Sequence, residues 1–165
     1  SRVVSVDLSK TFLEWSKKNF ALNQLEIRKP ESKTIGSHSP SSPSYEFVAM
    51  DSLAYLRWAH KKQFQFDVIV CDPPSFSRGP EGIFRIEDQL GPMLELLNSV
   101  LAPQGYILFS CNYEKWSQEK WNEILQKEIS KKRLPLKITN TPSPDWDFEL
   151  PKEDRILKSS FLIKT

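Results

Sequence analysis

The chain has 165 residues, 39% of them apolar and 27% charged, with a net charge of +2; this is the composition of one globular domain with a core, and the totals make no electrostatic case for nucleic acid. Two cysteines, Cys71 and Cys111, without a CxxC pair, and two histidines argue against a disulfide framework or a metal site. No apolar run approaches the roughly 18 residues of a membrane span and no charged-then-apolar leader is evident, so a soluble, cytoplasmic protein is expected.

Strand-like and helix-like runs alternate, the pattern of a parallel α/β sheet whose helices cover both faces. Arg2-Val3-Val4-Ser5-Val6-Asp7 reads as a strand ending in an acid. Ser9 is placed to cap a helix to about Asn23, with Phe12, Leu13, Trp15, Ser16, Phe20 and Ala21 as an imperfect apolar stripe. Lys29 to Ser44 holds three prolines, six serines and Gly36. That composition buries too little apolar surface to offset its ordering entropy, so the segment is expected to be a mobile loop inserted in a single domain spanning 1–165. A strand from Tyr45 to Met50 leads into Asp51 and a helix through about His60, where Leu53, Leu56 and Ala59 recur at three-residue spacing.

The next strand, about Asp67 to Cys71, runs into Asp72-Pro73-Pro74-Ser75-Phe76. Gly79-Pro80-Glu81-Gly82 marks a loop, and a helix from about Asp88 to Leu101 carries Leu90, Met93, Leu94, Leu97 and Leu101 on one face. Pro103-Gln104-Gly105 stops it, and Tyr106 to Cys111 is the following buried strand. A helix from Trp116 to Lys131 precedes strands near Leu136 to Thr139 and Ile156 to Ile163, which are expected to pair as an antiparallel, hairpin-like edge.

In open α/β sheets ligands sit outside the carboxyl ends of the strands. Asp7, Asp51, Asp72 and Cys111 all fall there. Asp7 can accept from both hydroxyls of a ribose and Asp51 from an adenine amino group, but a helix-capping role is an equally good reading of each. Pro73 and Pro74 lack amide hydrogens, so they end the strand and stiffen the turn. A stiff turn holds the Asp72 carboxylate and nearby carbonyls as fixed acceptors for a base, with Phe76 as a stacking face; the bland reading is an ordinary loop opener.

Taken as a set, the acid ending "VVSVD", Asp51, "DPPSFS", "LAPQGYILFSCN" and "DWDFELPKEDRILKSSFL" resemble the class I S-adenosylmethionine-dependent methyltransferases. More narrowly, with "VDLSKTFLEWSKKNFALN", the chain is similar to the catalytic domain of bacterial 23S rRNA methyltransferases, the branch containing RlmI and RlmK/RlmL. The resemblance implies a Rossmann-like sheet and S-adenosyl-L-methionine as cofactor. It places Asp7 and Leu8 at the ribose, Asp51 and Ser52 at the adenine, and Asp72, which serves both sets, with Pro73, Pro74 and Phe76 around the methyl-transfer site.

Two departures from the family matter. Ser75 separates the double proline from Phe76, which disfavours an N6-adenine DNA methyltransferase. The family's first strand and glycine-rich loop have no counterpart, so the chain is expected to be an N-terminally truncated, inactive domain. Such a domain would pair its strands abnormally, expose a sheet edge, or dimerise through exposed or swapped strands.

The chemistry then turns on Cys111. Cytosine C5 becomes nucleophilic only after a thiolate adds at C6, and Cys111 could supply it; otherwise it is a small buried apolar residue. Guanine N7 needs no covalent step. The Ser110-Cys111-Asn112 triplet lies between the Ser-Cys-Ser of C5 members and the Ser-Asn-Asn of N7 members. Cys71 is expected in the core. An rRNA substrate is implied, with Lys152, Arg155 and Lys158 as candidate contacts. A non-catalytic RNA- or protein-binding scaffold is the alternative.

Overall fold

The computed structural model describes residues 2–25, 44–79, 82–141 and 157–165, which fall into two compact units, Ser1–Tyr55 and Leu56–Thr165. The expected loop at 29–44 lies outside the described residues except for Ser44, which is buried and opens a strand.

In the first unit, β1 (Arg2–Asp7) and β2 (Ser44–Ala49) pair in parallel from Arg2 opposite Ser44 to Asp7 opposite Ala49. Arg2 grips Glu46 with two 3.0 Å hydrogen bonds from its guanidinium. Between the strands, α1 (Lys10–Leu22) starts at Ser9, whose hydroxyl accepts from the Phe12 amide at 3.3 Å. Phe20 holds the helix to β2 by meeting Tyr45 and Phe47 edge-on, at 4.8 and 5.1 Å between ring centroids. The buried stripe is narrower than the sequence pattern. Leu13 is buried while Phe12 and Trp15 stay exposed and lean on each other at 5.6 Å. The helix α2 (Ser52–Lys61) contains the division between the units.

In the second unit, a four-stranded sheet has the order β3-β6-β8-β7, formed by β3 (Phe66–Cys71), β6 (Leu101–Cys111), β8 (Lys158–Lys164) and β7 (Leu136–Asn140). β3 runs parallel to β6, and β8 is antiparallel to both of its neighbours. The last two strands do pair antiparallel, but β8 takes the inner place and only β7 is at the edge. Leu162 and Ser160 at the centre of β8 are fully buried, which suits an inner strand better than an edge. β3 forms the other edge of this sheet.

Helices α3 (Ile86–Val100) and α4 (Gln118–Lys131) cover the face that carries Cys71 and Phe109, which are register partners. Cys71 meets Met93 of α3, sulfur to sulfur at 3.7 Å. Phe109 meets Trp121 of α4 edge-on at 5.1 Å. Val68 and Val70 on the opposite face are 63% and 70% exposed.

Leu101, read as the end of a helix, is instead the first residue of β6 and fully buried. The segment Pro103-Gln104-Gly105, read as a separator, lies within β6 as an irregularity. Pairing skips from Phe66 opposite Leu101 to Val68 opposite Tyr106. Gln104 takes φ of 60°, and β3 approaches so closely that a Cβ on Gly105 would sit 3.0 Å from the Asp67 carbonyl oxygen. Lys164 completes the end of α3 by donating to the carbonyls of Asn98 (2.9 Å) and Leu101 (2.7 Å).

One element went unread in the sequence. β4 (Phe76–Gly79) and β5 (Gly82–Arg85) form an antiparallel hairpin around the Gly79-to-Gly82 turn. Gly82 has φ of 109°, a conformation that glycine tolerates and L side chains rarely adopt. Among the described residues no helix is long and apolar enough to cross a membrane.

Candidate functional site

Two groups of the expected site residues lie at carboxyl ends of parallel strands, one group in each unit. In the first unit, the Met50 amide donates to the Asp7 carbonyl at 3.1 Å, extending the β1–β2 ladder beyond Ala49. Asp7 and Asp51 therefore leave the same edge of the sheet. Asp51 does what a capping acid does, its Oδ1 accepting from the Ala54 amide at 2.9 Å, whereas Asp7 Oδ1 accepts from the amide of Ser9, itself the cap of α1, at 2.6 Å as in an Asx turn. These bonds use one oxygen of each carboxylate, so capping and ligand binding are compatible. Leu8 stands 47% exposed beside Asp7, and Ser52 is exposed at the start of α2.

In the second unit, β3 delivers Asp72, Pro73 and Pro74. Cys71 points into the α3 side, and its thiol is pushed up to about 12 by burial and, secondarily, by the Asp72 charge; it packs, as expected. Asp72 is exposed. After the prolines, the Ser75 carbonyl accepts from the Ile86 amide at 3.1 Å, which closes the base of the hairpin. Phe76 stands on its outside, 48% exposed.

Cys111 ends β6 but is only 1% exposed. Its sulfur accepts from the Tyr113 amide at 3.4 Å. Burial raises its pKa; the Tyr113 amide and then the Lys158 charge oppose this, and Asp72 adds to it. The register partner of Cys111 is Lys158, a fully buried side chain whose Nζ donates to the Tyr113 carbonyl at 2.8 Å. Lys158 is therefore neither the expected candidate RNA contact nor the outer side of an exposed strand. Lys152 and Arg155 lie outside the described residues.

Sequence reasoning also missed the aromatic group after β6. Tyr113 and Trp116 meet edge-on at 4.9 Å, and Trp116 stacks on Trp121 at 6.0 Å. It missed the hairpin as well, although the alternation of Phe76-Ser77-Arg78 and Ile83-Phe84-Arg85 around a glycine-flanked turn was a signal for one.

Comparison with known proteins places this chain alongside methyltransferases. It is 38% identical over 120 residues to a ribosomal RNA large subunit methyltransferase K/L of Shewanella sp. (strain ANA-3), covering 71% of this chain and 15% of that protein. It is 32% identical over 153 residues to the K/L methyltransferase of Psychrobacter cryohalolentis, covering 92% of this chain and 17% of that protein. The chain thus spans less than a fifth of the length of these curated relatives. No family model matches it. Among solved structures, a SAM-dependent methyltransferase from Agrobacterium tumefaciens superposes with a TM-score of 0.61 at 23% identity, over 76% of this chain and 36% of that one. The N-methyltransferase NodS from Bradyrhizobium japonicum, in complex with S-adenosyl-L-homocysteine, gives 0.59 at 12% identity, over 99% and 66%. The fold is that of the Rossmann-like methyltransferases.

Proposed function

We propose that this chain, which has the methyltransferase fold and is related in sequence to a segment of the K/L large-subunit rRNA methyltransferases, is part of an S-adenosylmethionine-dependent enzyme that methylates guanine N7 in that RNA. The observation that carries the choice of atom is the contrast between an exposed Asp72 and Phe76 and a Cys111 thiol that is 1% exposed. Methylation at cytosine C5 needs a thiolate that can reach C6. Burial raises the pKa of the Cys111 thiol and keeps it away from solvent, whereas the N7 lone pair of guanine attacks a methyl group without covalent help.

S-adenosylmethionine, when bound, supplies that electrophilic methyl group. The second carboxylate oxygen of Asp7, beside Leu8, fits a ribose hydroxyl, and Asp51 with Ser52 fits the adenine end. Asp72 has two roles in this reading. Its carboxylate accepts from the N1–H and N2–H donors of guanine, and its negative charge stabilises the positive charge that grows on the purine as N7 is alkylated. Pro73 and Pro74 keep that acceptor in a fixed direction, so alignment costs little at the moment of reaction. Phe76 offers the ring on which the base stacks.

The 165-residue chain by itself is expected to bind cofactor weakly. The glycine-rich loop that the family uses to wrap the methionine end of the cofactor has no counterpart in these 165 residues. Micromolar affinity in calorimetry with S-adenosylmethionine would contradict this. The function is tested by grafting the chain in place of the matching segment of the Shewanella relative. Large-subunit rRNA incubated with the graft is digested and its nucleosides weighed by mass spectrometry. 7-Methylguanosine is expected, 5-methylcytidine would overturn the choice of atom, and no methylation would favour the scaffold reading.

A further inference from the structure

We propose that the outer face of the β4–β5 hairpin holds the single-stranded RNA that carries the target nucleotide, with Arg78 and Arg85 on its phosphates and Phe76 under its base. The inference rests on the rRNA reading above and adds a recognition surface to it. Phe76 is paired across the hairpin with Arg85, and Arg78 with Ile83. Residues two apart on one strand, and directly opposite on its partner, share a face. All four side chains therefore project together, and all four are exposed. The alternate residues Ser77 and Phe84 are only partly exposed.

The two guanidinium carbons lie 5.8 Å (Arg78) and 5.9 Å (Arg85) from the centre of the Phe76 ring. Neither arginine has an ion pair or side-chain hydrogen bond with a described residue, although Glu87 and Asp88 follow in the first turn of α3. Acids in that position suit the helix N-terminus. Two planar cations near an exposed aromatic ring, neither of them ion-paired to a described residue, are a strand-sized version of what single-stranded nucleic acid requires. The guanidinium forks match phosphate, and the ring accepts any base. The Ser75–Ile86 bond ties this face to the turn that presents Asp72, so RNA held here reaches the proposed reaction site. A purely structural reading, in which the arginines only cover Phe76 to stabilise a short hairpin, predicts no effect on RNA.

The experiment titrates the 165-residue chain into a fluorescein-labelled, mixed-sequence 10-nucleotide single-stranded RNA and reads anisotropy between 50 and 200 mM KCl. Each phosphate contact on a single strand contributes a slope of about 0.7 in log affinity against log salt. Arg78→Gln with Arg85→Gln is expected to flatten the slope by about 1.4. Phe76→Ala should weaken binding about tenfold with the slope unchanged. Arg78→Lys with Arg85→Lys should keep most of the slope, because the charges remain. Lys127→Gln with Lys131→Gln on α4 removes the same charge elsewhere and should change nothing. No binding by the unmodified chain, an unchanged slope in the arginine-to-glutamine variant, or an equal loss in the α4 variant each overturns the proposal. Loss of RNA binding that tracks a loss of helical and strand signal in circular dichroism also overturns it. A graft that binds RNA through these residues but transfers no methyl group would defeat the functional reading alone.

Discussion

Adding one methyl group at Gly105 is expected to destabilise the larger unit, while the same addition at Gly91 is not. A Cβ on Gly105 would lie 2.8 Å from Leu101 Cδ1, 2.9 Å from the Ala102 carbonyl oxygen and 3.0 Å from the Asp67 carbonyl oxygen. Two of these three neighbours are backbone atoms, one on the adjacent strand, and neither can rotate aside. The strands must separate locally, at a cost of about 1–3 kcal/mol. On Gly91 the closest atom is Glu128 Oε2, at 2.5 Å, the far end of a side chain that can swing away. Its partner there is Lys131 at 3.7 Å, a surface pair worth less than about 1 kcal/mol. Removing a glycine from a helix interior gains about 1 kcal/mol, and the restriction that Pro92 places on a side chain before it offsets part of that gain, so Gly91→Ala should be close to neutral. Urea unfolding followed by tryptophan fluorescence reads the difference, because Trp121 is fully buried in this unit. With a slope of about 1–3 kcal/mol per molar urea, Gly105→Ala should lower the midpoint by roughly 1 M. Equal midpoints for the two variants would refute the claim that β6 needs a glycine to approach β3.

Further outcomes follow from the same contacts. Lys164→Met leaves the part-buried carbonyls of Asn98 and Leu101 without their donor and should cost about 1–3 kcal/mol in the same urea assay. Ser9→Ala removes the cap on the Phe12 amide and should lower the helical signal of the smaller unit, with a loss of about 1 kcal/mol; Ser9→Asp should restore it. Both thiols are raised in the folded chain, Cys71 from 9.0 to about 12. Above pH 9 the unfolded chain releases thiol protons that the folded chain retains, so stability is complete below pH 9 and falls as pH rises toward 12. The slope from Cys71 is about 1.4 kcal/mol per pH unit, and Cys111 acts in the same direction. Urea midpoints that rise or stay flat over this range would contradict the burial of these groups.

Much of the fold was legible because periodicity and punctuation agreed. The run Arg2 to Asp7, the Ser9 cap, and the stripe Leu90, Met93, Leu94 and Leu97 each led to the observed element. Where the reading slipped, tertiary contact had overridden a local signal. Pro103-Gln104-Gly105 looks like a helix stop followed by a turn, yet close packing against β3 absorbs it as an irregular stretch of strand. Lys158 looks like the solvent side of an alternating strand. Its pairing opposite Cys111, inside the sheet, buries it completely, and a hydrogen bond to the distant Tyr113 carbonyl helps to make that tolerable. For the acids, capping and binding could not be separated by spacing, and in the fold they are not alternatives: Asp51 caps α2 with one oxygen, and Asp7 uses one oxygen on the amide of Ser9, which caps α1 in its place. For Cys111, position along the strand was legible, but exposure was not, because it depends on which face α3 and α4 cover.

A methyl group transferred directly to guanine N7, with Asp72 as the acceptor and charge partner, leaves no covalent role for Cys111. The most direct measurement of this is the mass of modified nucleosides made by the grafted enzyme with and without Cys111→Ala. The account predicts 7-methylguanosine at an undiminished rate from the variant. Loss of all methylation on Cys111→Ala, with the variant still folded by circular dichroism, would contradict it.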